Sequence, residues 1–346
     1  MSLNCQYFPR CGGCDFLDLS TQDYRQKKQQ LFHEFNISNW IWIDPHSRRK
    51  ITLQIDTQNR LGFFSKKTNQ LIEIENCFAA EAKISDLILP LKNFLKKQEP
   101  NFYTSCTITL FDNGLDIIFA AKKEPNLNQS QKLISFAKEF DLNISCFVGK
   151  QISAVFLLRK NQIFYPDFKI DLDSGIFIQA TKSGLEAISK IICNFIKQHP
   201  QIKNIADIYA GFGAYSFAIS NLTKSVQAFE GDTKMVSAIN KNAIANNLAA
   251  KIKGEIRDLF ATPLTKKELE KFDLVIINPP RNGAGPQAEE IAKSKVKKVI
   301  YVSCNPQSFK RDCAILTAQK FNLTHLTALD QFFATSHLEV IGIFER

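Results

Sequence analysis

The chain has 346 residues, too many for one small hydrophobic core, and its length predicts at least two domains. Its 44 Lys and Arg outnumber its 34 Asp and Glu, and the formal charge of +10 favours a polyanionic partner such as nucleic acid. No basic-then-apolar leader opens the sequence, no apolar run approaches the roughly 20 residues of a membrane span, and nine cysteines without a secretory signal argue against a disulfide framework. A cytoplasmic protein with no membrane contact is expected, and no obligate protein partner is evident.

Cys5, Cys11 and Cys14 open the chain as Cys-x5-Cys-Gly-Gly-Cys. Gly12 and Gly13 remove side chains between two thiols, so the backbone can turn both sulfurs toward one centre. This is a metal-ligand pattern. Cys77, ending the alternating run Leu71 to Glu75, is the best candidate for a fourth thiolate, and four thiolates suit zinc or an iron-sulfur cluster. Cys106, Cys146 and Cys193 lie inside apolar patterns and read as core.

Residues Thr21 to Phe35 are polar and helix-prone, with Lys27 and Lys28 expected to face solvent or a phosphate backbone. Further basic groups stand at Arg48-Arg49-Lys50, Lys66-Lys67 and Lys122-Lys123. Short alternating segments follow, at Ile51 to Thr57, Leu61 to Ser65, Leu71 to Glu75, Thr104 to Leu110, Leu115 to Ala120 and Ile152 to Leu158. A helix is predicted from Ala80 to Lys97, so residues 1–168 read as an α+β domain with an antiparallel sheet. Turn residues and charge from Asp167 to Asp173 mark a linker. No internal repeat or low-complexity tract occurs.

Residues 169–346 change rhythm to alternating helices and strands, which predicts an α/β domain with a doubly wound, mostly parallel sheet. A helix is expected over Leu185 to Ile196. Strands are expected at Ile205 to Tyr209, Val226 to Phe229, Ile252 to Ile256, Leu274 to Ile277, Val299 to Val302, Leu323 to Leu329 and Val340 to Phe344.

The first of these strands runs into Asp207-Ile-Tyr-Ala-Gly211-Phe-Gly213, a glycine turn before a helix that lets a cofactor approach the backbone closely. The third glycine of the dinucleotide fingerprint and the phosphate-loop Lys are both missing. Glu230 ends the second strand, 230 − 209 = 21 residues beyond Tyr209, where a carboxylate accepts hydrogen bonds from ribose hydroxyls. The fourth strand delivers Asn278-Pro279-Pro280-Arg281, whose prolines fix the backbone so that Asn278 projects rigidly. Together these features describe an S-adenosylmethionine-dependent methyltransferase better than a dehydrogenase. Asp258, after the third strand, is a further candidate contact to the adenine.

Cys304 closes the chemical picture. The run Val299 to Val302 ends in Ser303-Cys304-Asn305-Pro306, so a buried strand stops with the thiol at its carboxyl end, the edge where ligands bind in open α/β sheets.

In this order, Cys-x5-Cys-Gly-Gly-Cys, Phe177-Ile178-Gln179, Asp207-Ile-Tyr-Ala-Gly, Asn278-Pro-Pro-Arg, Ser303-Cys-Asn-Pro and His337-Leu-Glu339 resemble the RNA uracil-C5 methyltransferases. The resemblance covers almost the whole chain. It implies an iron-sulfur-bearing, RNA-binding α+β domain joined to a Rossmann-like methyltransferase domain, with a [4Fe-4S] cluster on Cys5, Cys11, Cys14 and Cys77. Two departures place it further: no room precedes Cys5 for the family's RNA-binding barrel, and Asn278 stands where many members have Asp. A short chain with Asn-Pro-Pro-Arg most resembles the branch acting on 23S ribosomal RNA, with the central domain's basic surface then gripping RNA.

The resemblance also implies roles. Cys304 is the nucleophile that adds to C6 of uracil, and Glu339 removes the C5 proton, with His337 as its rival. Gln179, Tyr209, Glu230 and Asn278 hold the cofactor, and Phe177 stacks on the base or lies in the core. Lys310 and Arg311 are candidates to favour the Cys304 thiolate. Three other readings are open: a tRNA uracil-C5 methyltransferase, a non-enzymatic RNA-binding or assembly protein, and an amino-methylating enzyme. The last is disfavoured because Arg281 replaces the aromatic residue of that loop.

Overall fold

Apolar spacing too sparse for an ordinary amphipathic stripe nevertheless buries one edge of α1 (Thr21–Leu31), through Tyr24 and Lys28, while Ser20 caps its first turn by accepting from Asp23 N–H at 3.1 Å. The computed structural model describes residues 5–66 and 68–346, so Lys67 of one basic pair lies outside the described residues. After α1, the strand β1 (Asn39–Trp42) pairs in parallel with a strand near the carboxyl terminus, Asn39 opposite Thr327 and Trp42 opposite Asp330. The helix was expected in the 1–168 unit, and the strand, which was not expected, lies in the same stretch of sequence. They pack instead on the sheet built by 169–346, and Lys28, expected at the surface, is fully buried.

The central sheet comprises β2 (Lys50–Ile55), β3 (Leu61–Phe64), β4 (Leu71–Glu73), β5 (Tyr103–Phe111), β6 (Gly114–Ala121), β7 (Leu142–Val148) and β8 (Gln151–Phe156), in the order β4-β3-β2-β5-β6-β7-β8. Neighbours are antiparallel except β6 and β7, which α3 (Leu127–Glu139) joins by a crossover. Period-two alternation turns Ile51, Leu53, Cys106, Ile108, Ile117 and Phe119 onto one face, beneath Ile84, Leu87, Ile88 and Leu91 of α2 (Ala82–Leu95). Cys106 and Cys146 are core, as expected, whereas Cys193 is only half-buried.

The expected linker, Asp167 to Asp173, is largely structured: β10 (Lys169–Leu172) pairs antiparallel with β9 (Asn161–Phe164). Its charged residues belong to a hairpin rather than a free connection.

The carboxyl-terminal half begins with α4 (Lys182–Gln198), whose Ile188, Ile192 and Phe195 face the sheet. Its parallel strands β11 (Asn204–Ile208), β12 (Ser225–Glu230), β13 (Ile252–Ile256), β14 (Leu274–Ile277) and β15 (Lys298–Ser303) alternate with α5 (Ala214–Ala218), α6 (Thr233–Ala245), α7 (Lys266–Leu269) and α8 (Gly285–Lys293). Then come α9 (Pro306–Thr317), β16 (Asn322–Asp330) and β17 (Glu339–Glu345). The sheet order is β1-β16-β17-β15-β14-β11-β12-β13. β17 enters antiparallel between β15 and β16, so its amino end meets the carboxyl ends of its neighbours.

Candidate active site

A cavity of about 930 Å³ opens along those strand ends. At the end of β11, Tyr209 takes a left-handed backbone conformation (φ 59°), and Gly211 and Gly213 follow at φ 57° and 83°. A Cβ on Gly211 would point into the open cavity, with nothing nearer than Met235 Sδ at 4.0 Å, so the glycine leaves the backbone accessible. Below the turn, buried Asp207 accepts from Ser216 N–H and Oγ at 3.1 and 2.6 Å, and burial pushes its carboxyl up to about 6.

Glu230 Oε2 accepts from Gly211 N–H at 2.9 Å, and Oε1 accepts from Gly231 and Asp232 N–H at 2.8 and 3.0 Å. Three backbone donors fix this carboxylate beside the glycine turn. The half-buried Asn278 has its N–H bonded to Ile208 O at 3.1 Å, which ties the Asn-Pro-Pro turn to β11. The Tyr209 hydroxyl has no partner among the described residues, and Asp258 accepts from Phe260 and Ala261 N–H at 3.0 Å. Tyr209, Glu230, Asn278 and Asp258 all line the cavity, as do Gln179 and Phe177. Glycines, a fixed carboxylate and free polar groups fit a nucleoside-bearing cofactor.

The chemistry-bearing pair stands deeper. Ser303 pairs with Val340 across β15 and β17, so the next residues along each strand, Cys304 and Glu339, face each other at the cavity wall. Asn305 shapes the turn beyond Cys304 by accepting from Gln307 N–H at 3.1 Å, capping α9, and by donating from Nδ2 to Arg281 O at 2.9 Å. Burial pushes the Cys304 thiol up, the Glu339 charge adds to this, and Arg281 acts against both. Lys310 is paired with Glu34 at 2.5 Å, and Arg311 with Asp312 at 2.8 Å, so Arg281 is the cation that supports Cys304, in place of the two expected from sequence.

Glu339 is 3% exposed, and burial pushes its carboxyl up to about 7 against the opposing hydrogen bond from Gln331 Nε2 at 2.6 Å. His337 does not share its strand: it precedes β17, is exposed, and is held below its ordinary value by partial desolvation and by Arg281 and Lys28. Phe177, at 56% exposed, stands in the cavity rather than in the core. Arg49 is buried and donates from Nε to Gln179 O at 2.9 Å, while its N–H bonds Ala180 O, holding the Phe177-to-Ala180 segment in place.

Cys5, Cys11, Cys14 and Cys77 line a second cavity, about 50 Å³, with Leu17, Ile51 and Ile74. Burial, and the neighbouring Cys77 and Cys11, push Cys14 up to about 12. Among the described residues no three His, Cys, Asp or Glu side chains converge as ligands of one ion. Arg48 and Gly13 line both cavities.

Sequence reasoning missed Gln331, the place of Arg48 at the wall of both cavities, and the role of Arg281. Gln331 follows a strand and precedes a loop, and polar residues are ordinary there. Only pairing across β16 and β17 reveals its contact with Glu339.

No helix is long and apolar enough to cross a membrane among the described residues. Residues 18–346 match the family model described as tRNA (Uracil-5-)-methyltransferase. An uncharacterized RNA methyltransferase of Mesorhizobium japonicum is 31% identical over 99% of this chain and 84% of its own length. A 23S rRNA (uracil(1939)-C(5))-methyltransferase of Shewanella is 26% identical over 99% and 81%. The tRNA (uracil-54, C5)-methyltransferase of Pyrococcus abyssi, solved with S-adenosyl-L-homocysteine, shares the fold with a TM-score of 0.72 at 21% identity, covering 97% and 86% of the two chains. The chain belongs to the tRNA (uracil-5-)-methyltransferase family, and is an RNA uracil-C5 methyltransferase.

Proposed function

We propose that this enzyme methylates C5 of a uridine in 23S ribosomal RNA through a covalent bond between Cys304 and C6, with Glu339 as the base. The observation that carries this reading is the strand register that brings a thiol and a buried carboxyl, the latter pushed up to about 7, together at one cavity wall. S-adenosylmethionine, when bound, supplies an electrophilic methyl carbon; Tyr209, Gly211, Glu230, Asn278 and Gln179 would hold it.

Uracil C5 is a weak nucleophile. Addition of the Cys304 thiolate at C6 converts the ring to an enolate with carbanion character at C5. Arg281 favours that thiolate. Once C5 carries both hydrogen and methyl, Glu339 in its ionised form takes the proton, the C5–C6 double bond re-forms, and the C6–S bond breaks to free Cys304. A carboxyl near 7 suits both accepting and returning a proton around neutrality. Both ring atoms are shielded in a stacked helix, so the uridine must lie in a loop or be flipped out, where the exposed Phe177 ring can stack on it.

The 23S assignment is supported by the ribosomal relative, which matches nearly the whole chain. A [4Fe-4S] cluster on Cys5, Cys11, Cys14 and Cys77 is supported by the four thiols that line one small cavity. Cationic irons would also offset the burial that keeps Cys11, Cys14 and Cys77 protonated.

RNA carrying 5-fluorouridine tests the chemistry, because fluorine cannot leave C5 as a proton. The expected result is a denaturation-stable protein–RNA adduct mapped to Cys304. Cofactor-loaded enzyme that methylates normal RNA yet traps no fluorinated RNA would overturn the mechanism. Mapping 5-methyluridine in cells lacking the protein tests the ribosomal assignment, which is lost if the missing methyl lies in tRNA.

A further inference from the structure

Among the described residues, Glu339 is hydrogen-bonded by one side chain, that of Gln331. Gln331 is 1% exposed and leaves the end of β16 one residue beyond Asp330. Its Nε2 donates to Glu339 Oε2 at 2.6 Å, while its Oε1 is buried without a partner among the described residues. The room for this amide comes from Gly184 on α4: a Cβ there would stand 2.6 Å from Gln331 Oε1 and 3.3 Å from Gln331 Cβ. Thr181 caps the same helix by accepting from Gly184 N–H at 2.9 Å, which fixes the glycine against the amide.

An apolar side chain at 331 would fill this space equally well, so packing alone does not call for glutamine. A primary amide does two things that a methyl group cannot. It engages one carboxylate oxygen, leaving the other for the substrate proton, and it bonds preferentially to the ionised carboxylate.

We propose that Gln331 is a positioning residue for proton removal, setting the orientation of Glu339 and the pH at which it becomes a base. The inference rests on the reading of Glu339 as that base. The titratable groups facing Glu339 are Cys304 at the end of β15 and Tyr215 on α5. Burial pushes both above their ordinary values, so both are neutral near pH 7, and Arg281 acts chiefly on Cys304. Loss of the Gln331 donor removes an interaction with the charged form, so the Glu339 midpoint rises.

Single-turnover assays with radiolabelled S-adenosylmethionine and total RNA from cells lacking the enzyme, quenched in denaturant, separate labelled protein–RNA adduct from released labelled RNA. For Gln331→Met, which keeps the volume and loses the donor, adduct formation should match wild type. Adduct resolution at pH 6.5 should fall about tenfold, the change expected of a one-unit rise in midpoint. The difference should narrow toward pH 9. Gln331→Glu, which preserves the shape if the Met variant does not fold, should also move the midpoint upward through repulsion between two carboxylates. A wild-type midpoint in whichever folded variant is read would overturn the proposal. Glu339→Gln separates the two levels of inference: if it resolves adduct normally, the base is elsewhere and the reading beneath the proposal fails. If it accumulates adduct while the Gln331 variants do not, only the proposal fails.

Discussion

Lys28 Nζ lies 2.8 Å from Asp330 Oδ1, and both side chains are sealed from solvent. The ammonium also donates to Thr335 O at 2.8 Å and His337 O at 2.5 Å, while Tyr24 donates to the other Asp330 oxygen at 2.5 Å. A helix near the start of the chain thus fixes the loop that leads into Glu339.

Removing one partner leaves the other charge buried and uncompensated. Lys28→Ala should therefore cost about 3–5 kcal/mol, whereas replacing both partners by apolar residues should recover part of the loss. Denaturant unfolding of Lys28→Met, Asp330→Leu and the double variant checks this. Additive costs across the cycle would show that the pair is not coupled.

Glu339 should make the fold sensitive to pH. Its carboxyl is raised from an ordinary 4.5 to about 7, so the native state binds a proton that the unfolded chain releases over that interval. The associated stability is fully present below pH 4.5 and is lost as pH rises toward 7. A rise of 7 − 4.5 = 2.5 units corresponds to about 3 kcal/mol. Glu339→Gln removes this titration, so its stability relative to wild type should increase between pH 5 and 7.5. Melting curves at several pH values decide it, and parallel curves would mean that Glu339 is not so strongly raised.

Arg281 should govern the reactivity of Cys304 in the absence of RNA. Because the guanidinium works against burial to favour the thiolate, Arg281→Ala should push the thiol further up and slow its alkylation at any pH below the new midpoint. Iodoacetamide labelling followed by mass spectrometry at Cys304 measures this directly, with no RNA in the cavity that Arg281 also lines. Unchanged labelling from pH 6 to 9 would remove Arg281 from this role.

Much of this architecture was legible in the residues. β14 has the ends that its apolar run defines, because a buried parallel strand is apolar throughout and stops where polarity begins, whereas β13, Ile-Lys-Gly-Glu-Ile at the sheet edge, was legible from the isoleucines at its two ends. Cys304 and Glu339 were legible as strand-end residues. Their facing each other depends on β17 entering antiparallel beside β15, a pairing between distant segments that no local pattern encodes. Lys28 failed for a related reason. Lysine on a polar helix reads as solvated, and only Asp330, 302 residues away, makes its burial tolerable. β1 was missed because Asn-Trp-Ile-Trp is too short to show alternation, and its partner lies at the other end of the chain.

The cysteine segment and the loop that leads into Glu339 are in direct contact. Asp15 and Phe16, immediately after Cys14, donate their N–H groups to Ala334 O at 2.6 and 3.1 Å. Asp15 Oδ2 accepts from Ser336 N–H at 2.9 Å, and Lys66 lies 3.1 Å from the other oxygen. Loosening the four-cysteine pocket should therefore loosen the stretch from Ala334 to His337, while leaving the glycine turn at Gly211 untouched. Hydrogen exchange followed by mass spectrometry should show Cys14→Ser and Asp15→Ala each raising exchange across Ala334 to His337 by about tenfold, corresponding to loss of about 1.4 kcal/mol of local stability. Cofactor affinity should be unaffected, because none of these contacts reaches Glu230 or Asn278. If Cys14→Ser disturbs exchange around Cys5 to Leu17 but leaves Ala334 to His337 protected, the loop is held by Lys28 and Tyr24 alone, and the four-cysteine pocket is mechanically separate from Glu339.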